Sequence, residues 1–213
     1  MDRNEILTRV DHTILTPTAT WDQVKKICDE GIRYNTASVC IPPRFMKDAH
    51  AYVGNKLKLC TVIGFPNGYS MPEVKVYETE DAIRHGADEI DMVINLGLAK
   101  AGDWEAVLSE IKGVKAACNG RILKVIVEAC LFTEAEKISL CRLVSMSGAD
   151  YIKTSTGFST GGATIEDIKL FRKHCSSNVR IKASGGIRTF EQAQAMLEAG
   201  ADRIGASALV GLM

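Results

Sequence analysis

The sequence predicts an α/β protein, a (β/α)8 TIM barrel, and three observations carry the prediction. Short runs rich in β-branched residues alternate with amphipathic runs of helical period along the whole chain. Eight such units fit within 213 residues, and no Pro-, Gly- or Ser-rich linker separates any of them. The tripeptide Gly-Ala-Asp recurs at 86–88, 148–150 and 200–202, each time between a helical run and the next β run, which marks one αβ turn used repeatedly. A closed barrel accommodates eight consecutive units better than a doubly wound sheet, and the chain reads as one domain over residues 1–213.

In chain order, the predicted strands are Val10 to Leu15, Ala37 to Ile41, Leu59 to Phe65, Glu89 to Asn95, Leu123 to Ala129, Tyr151 to Thr156, Arg180 to Ser184 and Arg203 to Ser207. Among the helical runs, Trp21 to Gly31 carries Val24, Ile27 and Cys28 on one face. Trp104 to Ala117 carries Val107, Leu108, Ile111 and Val114, and Thr164 to Cys175 carries Ile165, Ile168, Leu170 and Phe171. Thr133 with Glu136 three residues on forms a capping-box pattern before Glu134 to Met146, and Thr189 opens a similar helix over Phe190 to Ala199. Gly31, Gly86, Gly148 and Gly200 stand where helices should stop. The last unit ends at Met213 soon after its strand, so the eighth helix reads as cut short.

Composition narrows the class of function. Hydrophobic residues are 46% and charged residues 24%, enough to bury a full core. Lys+Arg and Asp+Glu are 26 each and alternate along the chain, which argues against a nucleic-acid or membrane surface as partner. Seven cysteines without a C-x-x-C pair point to a reducing compartment. The opening Met1-Asp2-Arg3-Asn4-Glu5 is too charged for a signal peptide. The expectation is a cytoplasmic protein.

Alternation along each strand separates the helix-facing side from the barrel interior. With Ile90, Met92 and Ile94 outward, Asp91, Val93 and Asn95 point inward. The same rule turns Lys153 and Ser155, Lys182, Asp11 and Glu128 inward, and puts His12 on the helix side. Buried ionisable groups must pair or shift their pKa. A purely structural ion-pair cluster is one reading of this set. It has no need of two lysines on neighbouring strands.

A second lysine disfavours the charge of the first, and a lysine that sheds its proton is a nucleophilic amine. Such an amine condenses with an aldehyde or ketone, and the protonated imine draws electrons from the adjacent C–C bond. A carboxylate such as Asp91 can move protons together with the second lysine. No metal and no organic cofactor is required. The substrate handle is read from the glycines: Ser184-Gly185-Gly186 and Gly205-Ala206-Ser207 follow the last two strands, where barrels commonly hold phosphate, and Gly157 follows the sixth.

These residues also carry a family resemblance. Lys153-Thr154-Ser155-Thr156-Gly157-Phe158, Ile181-Lys182-Ala183-Ser184-Gly185-Gly186-Ile187-Arg188 and Glu89-Ile90-Asp91-Met92-Val93-Ile94-Asn95 resemble the motifs of the deoxyribose-phosphate aldolase family. Val10-Asp11-His12-Thr13, Val39-Cys40-Ile41 with Pro43-Arg44, and Val62-Ile63-Gly64-Phe65-Pro66 match as well, so the likeness runs from about residue 8 to the C-terminus. It implies a class I aldolase that reversibly cleaves 2-deoxy-D-ribose 5-phosphate to D-glyceraldehyde 3-phosphate and acetaldehyde, in deoxynucleoside breakdown. It implies Lys153 as the Schiff-base residue, Lys182 as the group that lowers its pKa, and Asp91 as Lys182's partner in proton transfer. Asp11 is implied at the substrate hydroxyls or a water, and Gly157, Gly185, Gly186, Gly205 and Ser207 at the phosphate. Asn67, Ala129 and Ala208 depart from the family's usual residues, and the chain lacks the tail tyrosine of some members.

Cys40 reads as a small buried hydrophobe, and Trp21 and Trp104 as packing residues. His50, His85 and His174 fall on helix surfaces. Arg188 is divided between attracting phosphate and a surface salt bridge. The competing functions are another Schiff-base barrel enzyme, a silent phosphosugar-binding barrel and a carboxylate-based isomerase. The inward lysine pair disfavours the last. A dimer or tetramer is expected, with a small-molecule phosphosugar as the only other partner.

Overall fold

The computed structural model describes residues 1–213. Eight strands form a closed, all-parallel barrel in chain order: β1 (Val10–Thr13), β2 (Ser38–Ile41), β3 (Leu59–Ile63), β4 (Glu89–Val93), β5 (Ile122–Ile126), β6 (Tyr151–Lys153), β7 (Arg180–Ser184) and β8 (Arg203–Ala206). The ring closes where Val10 pairs with Ile204 and Asp11 with Gly205. Helices α1 (Arg3–Leu7), α2 (Trp21–Arg33), α3 (Met46–Val53), α4 (Pro72–Arg84), α5 (Leu96–Ala101), α6 (Trp104–Ala117), α7 (Glu134–Ser147), α8 (Ile165–His174) and α9 (Phe190–Glu198) lie outside. The outward residues Ile90, Met92, Val125, Ile152, Ile181 and Ala183 join the helices in one apolar layer. His12 faces the same side, its Nε2 lying 2.8 Å from Glu30 Oε2 on α2.

The repeated Gly-Ala-Asp turn has a physical purpose. Asp88, Asp150 and Asp202 each accept the backbone N–H of the preceding strand, at Leu59 (3.0 Å), Leu123 (2.8 Å) and Ile181 (2.8 Å). The N–H of each aspartate donates back to the carbonyl of the same residue. Two bonds therefore clamp the entry of each strand to its neighbour. A cation then balances each carboxylate: Lys58, Lys115 and Arg172. The glycine in each turn has positive φ, from 80° to 116°, which only glycine adopts without strain.

Six strands, β1, β3, β4, β5, β6 and β8, end earlier than predicted, and in β4, β5 and β6 the early end moves a predicted inward residue. β4 stops at Val93 because Asn95 turns away to cap α5, its Oδ1 accepting from Leu98 N. β5 stops at Ile126, and Glu128 sits in the left-handed region at φ 50°. β6 stops at Lys153. Asn95 and Glu128 are thus loop residues rather than inward strand residues. Helix α1 was not predicted; Asp2 caps it, Ile6 and Leu7 are buried, and Arg3 lies over the Phe190 ring of α9. After β8 the described chain has one 3-10 turn, Val210–Leu212.

Candidate active site

The barrel interior is charged. Asp91, at the middle of β4, receives Lys153 Nζ (2.7 Å) and Lys182 Nζ (2.6 Å) on the same oxygen, Oδ2. Its other oxygen receives Lys124 Nζ (2.8 Å) and the Cys60 thiol (3.2 Å). Asp11 on β1 accepts from Lys182, Arg203 and Ser38 Oγ, the last at 2.8 Å. Glu89 pairs with Lys124 (2.6 Å) and Arg203 (3.2 Å). The cluster thus joins four cations, Lys124, Lys153, Lys182 and Arg203, to three carboxylates, Asp11, Glu89 and Asp91.

Burial opposes ionisation of all these groups, and the pairing reverses that effect. Burial alone would raise the Asp91 carboxyl, but Lys124, Lys153 and Lys182 hold it well below the usual carboxylate range. Asp11 is held low in the same way by Lys124, Lys182 and Arg203. Burial would strip the proton from Lys182, yet Asp11 and Asp91 raise its ammonium above the ordinary lysine value. Lys124 is likewise raised, chiefly by Asp11 and Asp91 against burial. Both are lasting cations. Asp91 therefore stands between Lys153 and Lys182, so the two ammonium groups meet through a shared oxygen.

Above the cluster a cavity of about 440 Å³ opens at the C-terminal ends of the strands. Lys153 reaches it; Lys124 and Lys182 do not. Gly157, Gly185, Gly186, Gly205 and Ser207 line it together with Thr156. Gly157, Gly185 and Gly186 have φ of 80–86°, which turns successive backbone amides in the manner of an anion cradle. At Gly205 a side chain has no room: a Cβ would sit 2.9 Å from Ser184 Cβ and 3.1 Å from Lys182 Cε. Arg188 lies exposed at the mouth and forms no ion pair, so the surface salt bridge, one of its two readings, is not formed. Glu128 buttresses this rim, its carboxylate accepting the Thr156 backbone N–H (3.2 Å) and hydroxyl.

Asp11 lies a layer below the cavity floor. It is fully enclosed and saturated by Ser38, Lys182 and Arg203, so any influence on a substrate runs through Lys182 and not through direct contact. Cys40 packs with Cys60 and Val62 in a small buried cluster, as its small apolar character predicts. Cys40, Cys60 and Asp91 bring ligand atoms within 4.8 Å of one another, but the three ammonium groups on Asp91 oppose a dication there.

Alternation missed three members of the cluster although the signal was present. The rule that sends Val125 outward sends Lys124 inward, and the rule that sends Ile90 outward does the same for Glu89. Arg203, two residues before Gly205, completes the set on β8.

A closed barrel with a lysine–carboxylate cluster under a glycine-rimmed mouth defines a lyase of the aldolase class. The comparisons agree with that class. The model of the DeoC/LacD family aldolases matches residues 6–212, and the chain belongs to this family. It is 54% identical to a deoxyribose-phosphate aldolase of Clostridium botulinum (strain Eklund 17B / Type B) over all of this chain and 96% of the relative. It is 53% identical to one of Streptococcus pyogenes serotype M4 at the same coverage. The tetrameric deoxyribose phosphate aldolase structure of Aeropyrum pernix superposes with a TM-score of 0.92 at 34% identity, covering 98% of this chain and 89% of that one.

Proposed function

We propose that this aldolase reversibly cleaves 2-deoxy-D-ribose 5-phosphate to D-glyceraldehyde 3-phosphate and acetaldehyde through a Schiff base on Lys153, in deoxynucleoside breakdown. One observation carries the assignment of the nucleophile: of the three lysines bound to Asp91, only Lys153 lines the cavity. Once Lys153 has given up its proton, the cluster holds three cations against three carboxylates. The free amine adds to C1 of the open-chain sugar, and loss of water leaves a protonated imine. Asp91 takes the C3 hydroxyl proton, the C2–C3 bond breaks, and its electron pair moves to the imine nitrogen as an enamine, the proton later returning to C2. D-glyceraldehyde 3-phosphate leaves. Protonation at C2 and hydrolysis then release acetaldehyde and the amine.

The remaining roles follow from position. Asp91 is the group for proton transfer beneath Lys153, with Lys182 as its partner, because Asp91 Oδ2 touches both amines. Asp11 keeps Lys182 in place. Backbone amides at Gly157, Gly185, Gly186 and Gly205 with the Ser207 hydroxyl hold the phosphate, and Arg188 adds a cation at the mouth.

Incubation with deoxyribose 5-phosphate and borohydride, followed by peptide mass spectrometry, tests the reading. A reduced adduct on Lys153 that disappears in Lys153→Leu supports it. A folded protein without an adduct refutes it, and an adduct on Lys182 reverses the two lysine roles.

We also infer a cytoplasmic homo-oligomer, a dimer or tetramer. The A. pernix relative is tetrameric. Tyr69, Met71, Val74 and Tyr77 expose an apolar stretch around the start of α4. No helix is long and apolar enough to cross a membrane, and all seven cysteines are free. Light scattering that finds only 23 kDa particles would refute the oligomer.

A further inference from the structure

A second buried ion pair lies outside the catalytic cluster. Lys75 on α4 and Glu110 on α6 are fully enclosed between the helices. All three protons of the Lys75 ammonium are used. They go to Glu110 Oε1 (2.6 Å), to the Gly68 carbonyl (2.6 Å) and to the Val93 carbonyl (2.8 Å). Glu110 Oε2 accepts the Asn95 backbone N–H at 2.9 Å. One pair thus ties the segment after β3 to the end of β4 at Val93, two residues beyond Asp91, and to Asn95 just after it. The segment after β3 is held at its other end too, where Gly64 N–H donates to Glu78 Oε2 at 2.9 Å. Gly64 (φ 60°) lies against the lysine stem: a Cβ there would come within 2.7 Å of Lys75 Cε.

The segment so fixed presents Phe65. Its ring meets Phe158 edge-to-face, with centroids 5.4 Å apart and planes at 88°. Phe158 lines the cavity beside Gly157 and is half exposed, so Phe65 is its main aromatic support. An ion pair sealed from water is a poor device for stability alone, since an apolar pair of similar volume often serves as well. What it does supply is direction, because a charged donor with three fixed acceptors holds two loops in one arrangement.

We infer that Lys75 and Glu110 are positioning residues for the reaction, holding Phe65 so that it fixes Phe158 as one wall of the substrate cavity. The part of this inference that concerns substrate rests on the proposed function, whereas the mechanical part stands without it. The double replacement Lys75→Met with Glu110→Leu removes both charges together and leaves neither unpaired. Glu110→Asp is the second variant should the double one fail to fold; it keeps a carboxylate for the Lys75 ammonium but shortens the reach to the Asn95 N–H and so loosens the tie between the two segments.

Two readouts test the inference. In the ligand-free protein, hydrogen exchange should rise in 64–69 and also in 157–160, with the rest of the barrel unchanged. In the cleavage assay, KM for deoxyribose 5-phosphate should rise about five-fold while kcat stays within two-fold, as expected for a lost aromatic wall contact. In a Phe158→Ala background the same replacement should add less than two-fold to KM. Exchange that rises in 64–69 alone, an unchanged KM, or full additivity with Phe158→Ala would each overturn the inference. A wild-type protein that does not cleave the sugar overturns the functional reading only, and the exchange measurement still decides whether the brace reaches Phe158.

Discussion

Asp91→Asn and Lys153→Met should both abolish turnover yet differ sharply in stability. Asp91 is the carboxylate that three enclosed ammonium groups share. Its removal leaves four cations facing two carboxylates, and an amide oxygen replaces a full charge. Removing one partner from a buried ion pair costs about 3–5 kcal/mol. For a chain of 213 residues that is a fall of about 6–20 °C in the thermal midpoint, at 2–4 °C per kcal/mol. Lys153→Met removes the cation that has no carboxylate of its own. It leaves three against three, with Lys182 still on Asp91 Oδ2 at 2.6 Å. The methionine fills most of the volume of the lysine stem, so the cost should stay below about 1.5 kcal/mol. Urea unfolding of the two variants and the wild type, with the borohydride trap run in parallel, measures both quantities. If Lys153→Met proves as destabilising as Asp91→Asn, the cluster is a structural ion-pair network and the charge count carries no catalytic meaning.

Three further outcomes are expected. Asp11 and Asp91 are held below the usual carboxylate range, so the stability they contribute is complete above the unfolded value of about 4 and is lost as pH falls through their lower folded values; unfolding free energy followed from pH 7 to 2 should drop less steeply in Asp91→Asn, and equal slopes would refute the pairing. Lys182 is raised, so its contribution is complete below the ordinary lysine value and is lost progressively as pH rises from there through the higher folded value. Gly205→Ala should cost about 1–3 kcal/mol and most of the activity, because the new methyl meets Ser184 Cβ and the Lys182 stem; a crystal structure with Lys182 undisplaced and full kcat would refute this. Arg188→Glu should leave stability within about 0.5 kcal/mol, because Arg188 is exposed and forms no ion pair, while raising KM several-fold with a weakened dependence on salt; a KM equal to wild type would remove Arg188 from the phosphate site.

The sequence by itself determined the local and periodic features of this protein. Eight units, the Gly-Ala-Asp turns, the Thr133 cap and the inward placement of Asp11, Asp91, Lys153 and Lys182 all follow from periods of 2 and 3.6 and from turn chemistry, which act over a few residues. Family motifs added the glycines proposed to hold phosphate, and these line the cavity. Strand ends were less legible, because a side chain such as Asn95 leaves the alternation to cap a helix that begins with the next residue. Glu128 likewise left its predicted place, since a left-handed residue turns the chain out of the strand.

Only the tertiary structure decided which charges meet. That Lys153 and Lys182 share one oxygen of Asp91, that Lys124 and Arg203 enlarge the cluster, and that Asp11 lies beneath the cavity depend on the stagger between strands. Asp91 pairs in register with Lys124 on β5, but it reaches Lys182 across the barrel, 91 residues away in sequence. Closure of the ring sets that distance, and no period within a strand encodes it.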